Sequence, residues 1–250
     1  MNKTLPPLPF DNVALFFDFD GTLVELQPTP EAVIVDDELR TVLKSLNNEV
    51  NQALALISGR SLDSLDHLLA MPTVNVSGSH GMQFRCGQSG DVFLHPDTIS
   101  LPETLLHDCQ RFCHQHDLLL EDKPLTVAIH YRNKPDMENQ VEAYLQQLTE
   151  RFSSLKLSIQ AGKSIRELKP SGINKASALD YFTSKDAFQD RTPWYFGDDV
   201  TDEDAFTWIN ERNGVSVKIG DGESNAQYLL DSPQEVIAFL KDRLAVRDNQ

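Results

Sequence analysis

The chain has 250 residues, 38 of them Asp or Glu against 22 Lys or Arg, for a formal net charge of -16. That length allows one large or two modest domains with a substantial core, and hydrophobic residues at 40% with charged residues at 24% exclude wholesale disorder. The charge argues against nucleic acid or an anionic membrane as partner, and an anionic substrate would need a local reversal of the field.

The N-terminus carries Pro6, Pro7 and Pro9, then the apolar run Val13 to Phe17, which stops at Asp18. This is neither a signal peptide nor a membrane span. Three cysteines cannot complete a disulfide framework, so a soluble, cytoplasmic protein in a reducing compartment is expected. Val13 to Phe17 reads as a buried strand. A helix capped by Asp36 or Asp37 follows, with Leu39, Val42, Leu43 and Leu46 on one face. Ala53 to Ile57 is a second strand, Ser61 caps a helix bearing Leu62, Leu65, Leu68 and Leu69, and Val74 to Val76 is a third strand. Alternating strands and helices predict a parallel α/β sheet of Rossmann-like type.

The pattern then changes. Met82 to Leu94 reads as a hairpin around Gly87 to Gly90. A helix over Pro102 to His116 and a strand pair over Leu118 to Arg132, turning near Lys123-Pro124, come next. The same helix-plus-hairpin order repeats over Asp136 to Phe152 and Leu155 to Leu168, with a turn at Gly162-Lys163. Residues 82–168 are therefore expected to be an inserted α+β domain, and 1–81 with 169–250 the discontinuous core. After Pro170 the first pattern returns. It runs through a helix over Asn174 to Phe182, a strand over Trp194 to Asp198, a helix over Thr201 to Ile209, a strand over Val215 to Ile219 and a last helix capped by Ser232. Ligands are expected at the carboxyl ends of the parallel strands.

Four segments carry chemistry. In Asp18-Phe19-Asp20-Gly21-Thr22-Leu23, extended chain puts Asp18 and Asp20 on one side, with Cα atoms roughly 7 Å apart, while Phe17 and Phe19 face the core. Two carboxylates at a strand end need a cation or a shared proton. Gly21 and Thr22 let backbone N–H groups curl toward an anion. Ser58-Gly59-Arg60 ends the second strand, and Ser58 can offer its hydroxyl and its backbone N–H to a phosphoryl oxygen. Lys175 lies at a helix start, where a cation is unfavourable unless an anion sits there. Gly197-Asp198-Asp199-Val-Thr-Asp202-Glu203-Asp204 is an oxygen-only cluster that suits Mg²⁺, although Asp202 to Asp204 could also serve helix capping.

Taken in order, Asp18-x-Asp20-Gly-Thr, Ser58, Lys175 and Gly197-Asp198-Asp199-x-x-Asp202 resemble the four motifs of the haloacid dehalogenase (HAD) superfamily of phosphatases. The match is closer to the bacterial trehalose-6-phosphate phosphatases. It is carried by Ala55-Leu-Ile-Ser-Gly-Arg60, Gly78-Ser-His80-Gly81, Ala128-Ile-His130-Tyr131-Arg132, Glu167-Leu-Lys169-Pro170 and Gly197-Asp-Asp-Val-Thr-Asp-Glu203. The resemblance spans residues 13 to 240, with Ala176 standing where the family usually has Gly and Ser79 where another small or apolar residue is often found. It implies a Rossmann-like core with an inserted cap that excludes water during phosphoryl transfer. It also implies that Asp18 is the nucleophile and that Asp20 is the acid and base, with a pKa raised by nearby carboxylates. Mg²⁺ would be held by Asp18, the Asp20 carbonyl and Asp198, with Asp199 or Asp202 orienting waters. Ser58 and Lys175, with Gly21, Thr22 and Gly59, would bind phosphate. Arg60, Glu121, Lys123, His130, Arg132, Glu167 and Lys169 would bind sugar, with His80 at the hinge.

The resemblance leaves three readings to compare. The leading one is Mg²⁺-dependent hydrolysis of trehalose 6-phosphate, a small-molecule sugar phosphate, by a chain for which a monomer is favoured. A phosphatase for another sugar phosphate, or a phosphohexomutase, keeps the same aspartates. A non-catalytic sugar-phosphate sensor would be marked by loss of Asp18 or Asp20, and both are present. Cys109 and Cys113, near His107, His114 and His116, are expected to be packed, inert thiols, because the histidines cannot all share the cysteine face.

Overall fold

The computed structural model describes residues 1–87, 89–162 and 164–247. Among them, twelve strands form two sheets, one in each of two compact units. The first unit comprises residues 1–94 and 174–250, and the second 95–173.

The large unit is built on β1 (Val13–Phe17), β2 (Leu54–Ile57), β3 (Asn75–Gly78), β4 (Gln83–Arg85), β5 (Val92–Leu94), β10 (Thr192–Gly197), β11 (Val215–Ile219) and β12 (Tyr228–Leu230). Their order is β12-β11-β10-β1-β2-β3-β4-β5. The six strands from β12 to β3 run parallel, and β4 and β5 add antiparallel pairs at one edge. β1 is wholly buried, as a continuous Val-Ala-Leu-Phe-Phe run requires of a central strand. Phe17 stands opposite both Phe196 and Leu56, and its ring stacks on Phe196 at 4.8 Å between centroids. Helices α1 (Asp37–Glu49), α2 (Leu62–Leu69), α5 (Lys175–Thr183), α6 (Glu203–Glu211) and α7 (Pro233–Arg247) complete this unit. Asp36 caps α1 and Ser61 caps α2, each side chain accepting a main-chain N–H of the first turn.

The second unit has an antiparallel sheet in the order β6-β7-β9-β8. Its strands are β6 (Leu119–Asp122), β7 (Val127–His130), β8 (Leu157–Gly162) and β9 (Ile165–Pro170), and its helices α3 (Glu103–His116) and α4 (Glu138–Arg151). Leu105, Cys109, Phe112, Val141, Leu145 and Leu148 from the helices meet Val127, Ile129 and Leu168 from the sheet in a core of their own. Burial pushes the Cys109 and Cys113 thiols up to about 12 and about 11, which leaves them protonated and inert.

Three expectations change. The units divide at 94/95 and 173/174, not at 81/82 and 168/169. The hairpin over Met82 to Leu94 forms, but β4 pairs with β3, so it extends the large sheet and leaves the insert. β12 was not foreseen, because it is only three residues long and two of them are only partly buried. Within the two expected turns, Gln88 and Lys163 lie outside the described residues. No helix among the described residues is long and apolar enough to cross a membrane.

Leu43 on α1 is fully buried, whereas Ile34 is 83% exposed. Leu43→Ala is expected to lower unfolding stability by about 2–5 kcal/mol in urea titrations, and Ile34→Ala by no more than about 0.5 kcal/mol. Equal effects would contradict the packing described here.

Candidate active site

β10, β1 and β2 are adjacent, so the residues that follow each of them meet at one edge of the parallel sheet. Asp18 follows β1, and its N–H continues the ladder by donating to the Phe196 carbonyl at 2.8 Å. Phe17 and Phe19, on either side of it, are buried in the core, which turns the Asp18 carboxylate the other way. Asp198 follows β10 and comes to the same place because residue 21 is glycine. Gly21 has φ +85°, and a Cβ there would lie 2.1 Å from Asp198 Oδ2. The Thr22 hydroxyl sits between the two acids, 3.4 Å from Asp18 Oδ2 and 3.4 Å from Asp198 Oδ1. Lys175 is the first residue of α5, whose start is fixed by a reciprocal cap between Asn174 and Ser177. From there its Nζ reaches Asp18 Oδ1 and Asp202 Oδ1, each at 2.7 Å.

Asp202 is completely buried, and its oxygens are fully engaged by the protein. Oδ1 accepts from Lys175 Nζ at 2.7 Å and from the Tyr195 hydroxyl at 2.5 Å. Oδ2 accepts from the backbone N–H groups of Asp198 at 3.1 Å and Asp199 at 3.0 Å. A carboxylate has about four acceptor positions, so Asp202 is saturated. It organises the Asp198-Asp199 turn and has no acceptor position left for a water, which corrects the expected water-orienting role. Asp199 is exposed and accepts from the Val200 N–H at 2.7 Å, closing the same turn.

The remaining acids are left short of neutralising charge. Burial pushes Asp18 well above the usual carboxylate range, with Asp202 and Asp198 adding to the rise and Lys175 opposing it. Burial, then the charge of Asp202, pushes Asp198 up to about 6, against the pull of Asp18 and Lys175. Burial disfavours the Lys175 ammonium, but Asp18 and Asp202 overcome this and hold it charged. Oxygens of Asp18, Asp198 and Asp202 lie within 4.8 Å of one another, the one such convergence of possible metal-ligating groups among the described residues. With Asp202 saturated, Asp18 and Asp198 are the two carboxylates able to face a cation. An all-oxygen donor pair that is underneutralised in this way fits Mg²⁺.

The loops after β1 and β2 differ from expectation in three respects. The Ser58 N–H is taken by the Ser77 carbonyl at 2.9 Å, and its Oγ accepts from the Arg60 N–H at 3.1 Å, which leaves the hydroxyl proton as what Ser58 can offer. The Gly21 N–H likewise donates to the Val24 carbonyl at 2.8 Å and does not face an anion. Asp20 has a cation as its partner. Its two oxygens face the Arg60 guanidinium, Nε at 2.6 Å and Nη2 at 2.7 Å. Gly59 lies beneath the imidazole of His80, where a Cβ would come within 2.5 Å of the ring. Ser79 and His80 adopt left-handed φ values of 50° and 56°, held by bonds from Ser79 N to Arg60 O at 2.7 Å and His80 N to Ser58 O at 2.9 Å. His80 belongs to the large unit, 14 residues before the boundary at 94/95.

In the second unit, one face of the sheet gathers most of the expected sugar ligands. The register places Glu121, Ala128 and Glu167 in one cross-strand row. Glu121 Oε2 is 2.9 Å from His130 Nε2, and the His130 bond, opposed by burial, holds the Glu121 carboxyl below its usual range. Lys123 lies 3.3 Å from Glu167 and 3.7 Å from Glu121, and Thr126 donates to Glu167 at 2.5 Å. Lys169 is buried at the end of β9 and donates to the Ile173 carbonyl at 2.6 Å, while Arg132 lies exposed beyond β7.

Two residues of the large unit had not been singled out. Tyr195 lies within the buried β10, and Lys218, buried near the end of β11, donates to the main-chain carbonyls of Asp198 and Ile219. The available signal for Lys218 was a lysine interrupting Val215 to Ile219. For Tyr195 it was a phenol two residues before Gly197. Together these groups offer a carboxylate nucleophile, an ammonium for phosphoryl oxygens, a carboxyl poised on a guanidinium, and a site for a divalent cation.

A family model described as trehalose-phosphatase matches residues 16–234. The chain is 35% identical to the trehalose-6-phosphate phosphatase of Escherichia coli strain K12 over 91% of its own length and 85% of the relative's. It is also 35% identical to a probable trehalose-phosphate phosphatase of Sinorhizobium fredii, over 84% and 78% of the two chains. Its fold matches the C-terminal domain of a C. albicans trehalose-6-phosphate phosphatase with a TM-score of 0.81 at 22% identity, covering 98% and 99% of the chains. The chain belongs to the trehalose-phosphatase family and is a phosphatase.

Proposed function

We propose that this phosphatase hydrolyses trehalose 6-phosphate to trehalose and phosphate through an aspartyl-phosphate on Asp18. What supports this most is the buried Asp18 at the end of the central strand, with Lys175 at 2.7 Å and Asp198 across Thr22. The substrate named for the relatives supports the sugar.

In the first step an Asp18 oxygen attacks phosphorus. The bond from phosphorus to the sugar oxygen breaks, and Asp20 delivers a proton to that oxygen. Both Asp20 oxygens are held by Arg60, so this pair opens before one of them can face the leaving oxygen. In the second step water attacks phosphorus, Asp20 takes its proton, and the bond between phosphorus and Asp18 breaks to release phosphate. Lys175 and the Ser58 hydroxyl hold phosphoryl oxygens and neutralise the growing charge. A divalent cation such as Mg²⁺, held by the Asp18 and Asp198 carboxylates and the Asp20 carbonyl, would supply further charge neutralisation at those oxygens. Glu121, Lys123, His130 and Glu167 supply partners for sugar hydroxyls. Arg132 and Lys169 belong to the same proposal with less geometric support, as Lys169 already serves the Ile173 carbonyl.

Phosphate release is expected from trehalose 6-phosphate with Mg²⁺, to fall at least a hundredfold in EDTA, and to exceed that from sucrose 6-phosphate and glucose 6-phosphate. Equal release from glucose 6-phosphate would remove the substrate assignment and leave the phosphatase. Asp20→Asn should slow trehalose 6-phosphate hydrolysis by about 10²–10⁴ and p-nitrophenyl phosphate much less, because nitrophenolate leaves without a proton. Similar losses on the two substrates would sink the acid role. Glu167→Gln should raise KM for the sugar phosphate several-fold with kcat little changed. An unchanged KM would exclude a sugar contact.

A further inference from the structure

The Tyr195 hydroxyl stands one atom behind the groups assigned to phosphoryl transfer, and we propose that Tyr195 is a positioning residue for that reaction, acting through Asp202 on Lys175. The inference rests on the reading of Asp18 and Lys175 given above. Tyr195 lies in the middle of β10 with no exposed surface, its ring set edge-on to Phe206 at 5.7 Å between centroids. Packing therefore fixes where the hydroxyl points, and it points at Asp202 Oδ1 from 2.5 Å. Burial and the surrounding carboxylates push the phenol far above its ordinary range, so it remains a donor.

A buried phenol needs some acceptor, and any carbonyl would satisfy that need. The acceptor here is the oxygen that also takes Lys175. The Lys175 ammonium divides its hydrogen bonds between Asp202 and Asp18, each at 2.7 Å. Without the phenol, Oδ1 has a single donor, and its unshared charge draws the ammonium toward Asp202, away from Asp18 and the phosphoryl oxygens. Asp202 also carries the N–H groups of Asp198 and Asp199 on Oδ2, so a shift of the carboxylate reaches the Asp198 turn as well. Tyr195 touches neither substrate nor sugar ligands, so its loss should act on the chemical step.

The test uses Tyr195→Phe in the full chain at saturating Mg²⁺. The expected result is a three- to tenfold lower kcat on both trehalose 6-phosphate and p-nitrophenyl phosphate, with KM for the sugar phosphate unchanged. Orthovanadate inhibition should weaken by a similar factor. If the effect passes through Asp202, adding Tyr195→Phe to Asp202→Asn should change kcat by less than twofold. A kcat within 1.5-fold of wild type overturns the proposal, as does a double variant in which the two losses multiply. A Tyr195→Phe protein that fails to fold places the hydroxyl's role in stability and overturns it too. Asp18→Asn serves as the control. If that variant still turns over at the wild-type rate, the phosphoryl-transfer reading itself falls, and the proposal with it.

Discussion

The structure of the site depends on burying one carboxylate, Asp202, with four donors. A lone carboxylate taken from water into the interior is destabilising by several kcal/mol, and this one has no exposed surface. The fold meets that requirement from four directions: the phenol of β10, the ammonium at the head of α5, and two successive N–H groups of the turn after β10. Each donor is thereby fixed. The turn that presents Asp198, the helix that presents Lys175 and the strand beside Asp18 are held in one frame.

Asp18 and Asp198 are what that frame leaves unresolved. Asp18 is buried and Asp198 half-buried beside it, with Thr22 between them and one ammonium that Asp18 shares with Asp202. Their raised pKa values express first the cost of burial and then the charge of Asp202, which Lys175 does not fully offset. Preorganised sites keep charge in readiness for a ligand, and two underneutralised oxygens suit a cation brought with a phosphate. The global charge of -16 is thus a poor guide to what binds here, because the field at the sheet edge is set by Lys175 and by whatever the two acids recruit.

What could be read beforehand follows from the range of each interaction. Continuous apolar runs and the caps at Asp36 or Asp37 and at Ser61 are local, and they placed the strands and helices. The spacing of Asp18 and Asp20 on one strand is also local. The hairpin Gln83–Leu94 shows the limit, since its own pattern is the same whether it extends the large sheet or belongs to the insert. Its partner β3 decides, and pairing with β3 is a contact the hairpin's residues do not encode alone. Asp202 reads as an ordinary helix-start acid because its donors at Tyr195 and Lys175 are 7 and 27 residues away. Arg60 reads as part of a strand-end turn because its partner Asp20 lies 40 residues earlier.

The Arg60–Asp20 pair adds a condition on the proposed chemistry. A two-pronged contact at 2.6 and 2.7 Å holds Asp20 firmly, with the Arg60 stem almost covered. Opening it leaves a part-buried guanidinium without its acid, which is unfavourable unless another anion arrives. Under the proposed reading the substrate brings that anion, because it carries a phosphate to Asp18, two residues away. Substrate binding and release of Asp20 are then favourable together and unfavourable separately. On that reading Asp20 stays on Arg60 when no phosphoryl group is in the site, and is free while one is present, first to protonate the leaving oxygen and then to take the proton of the attacking water.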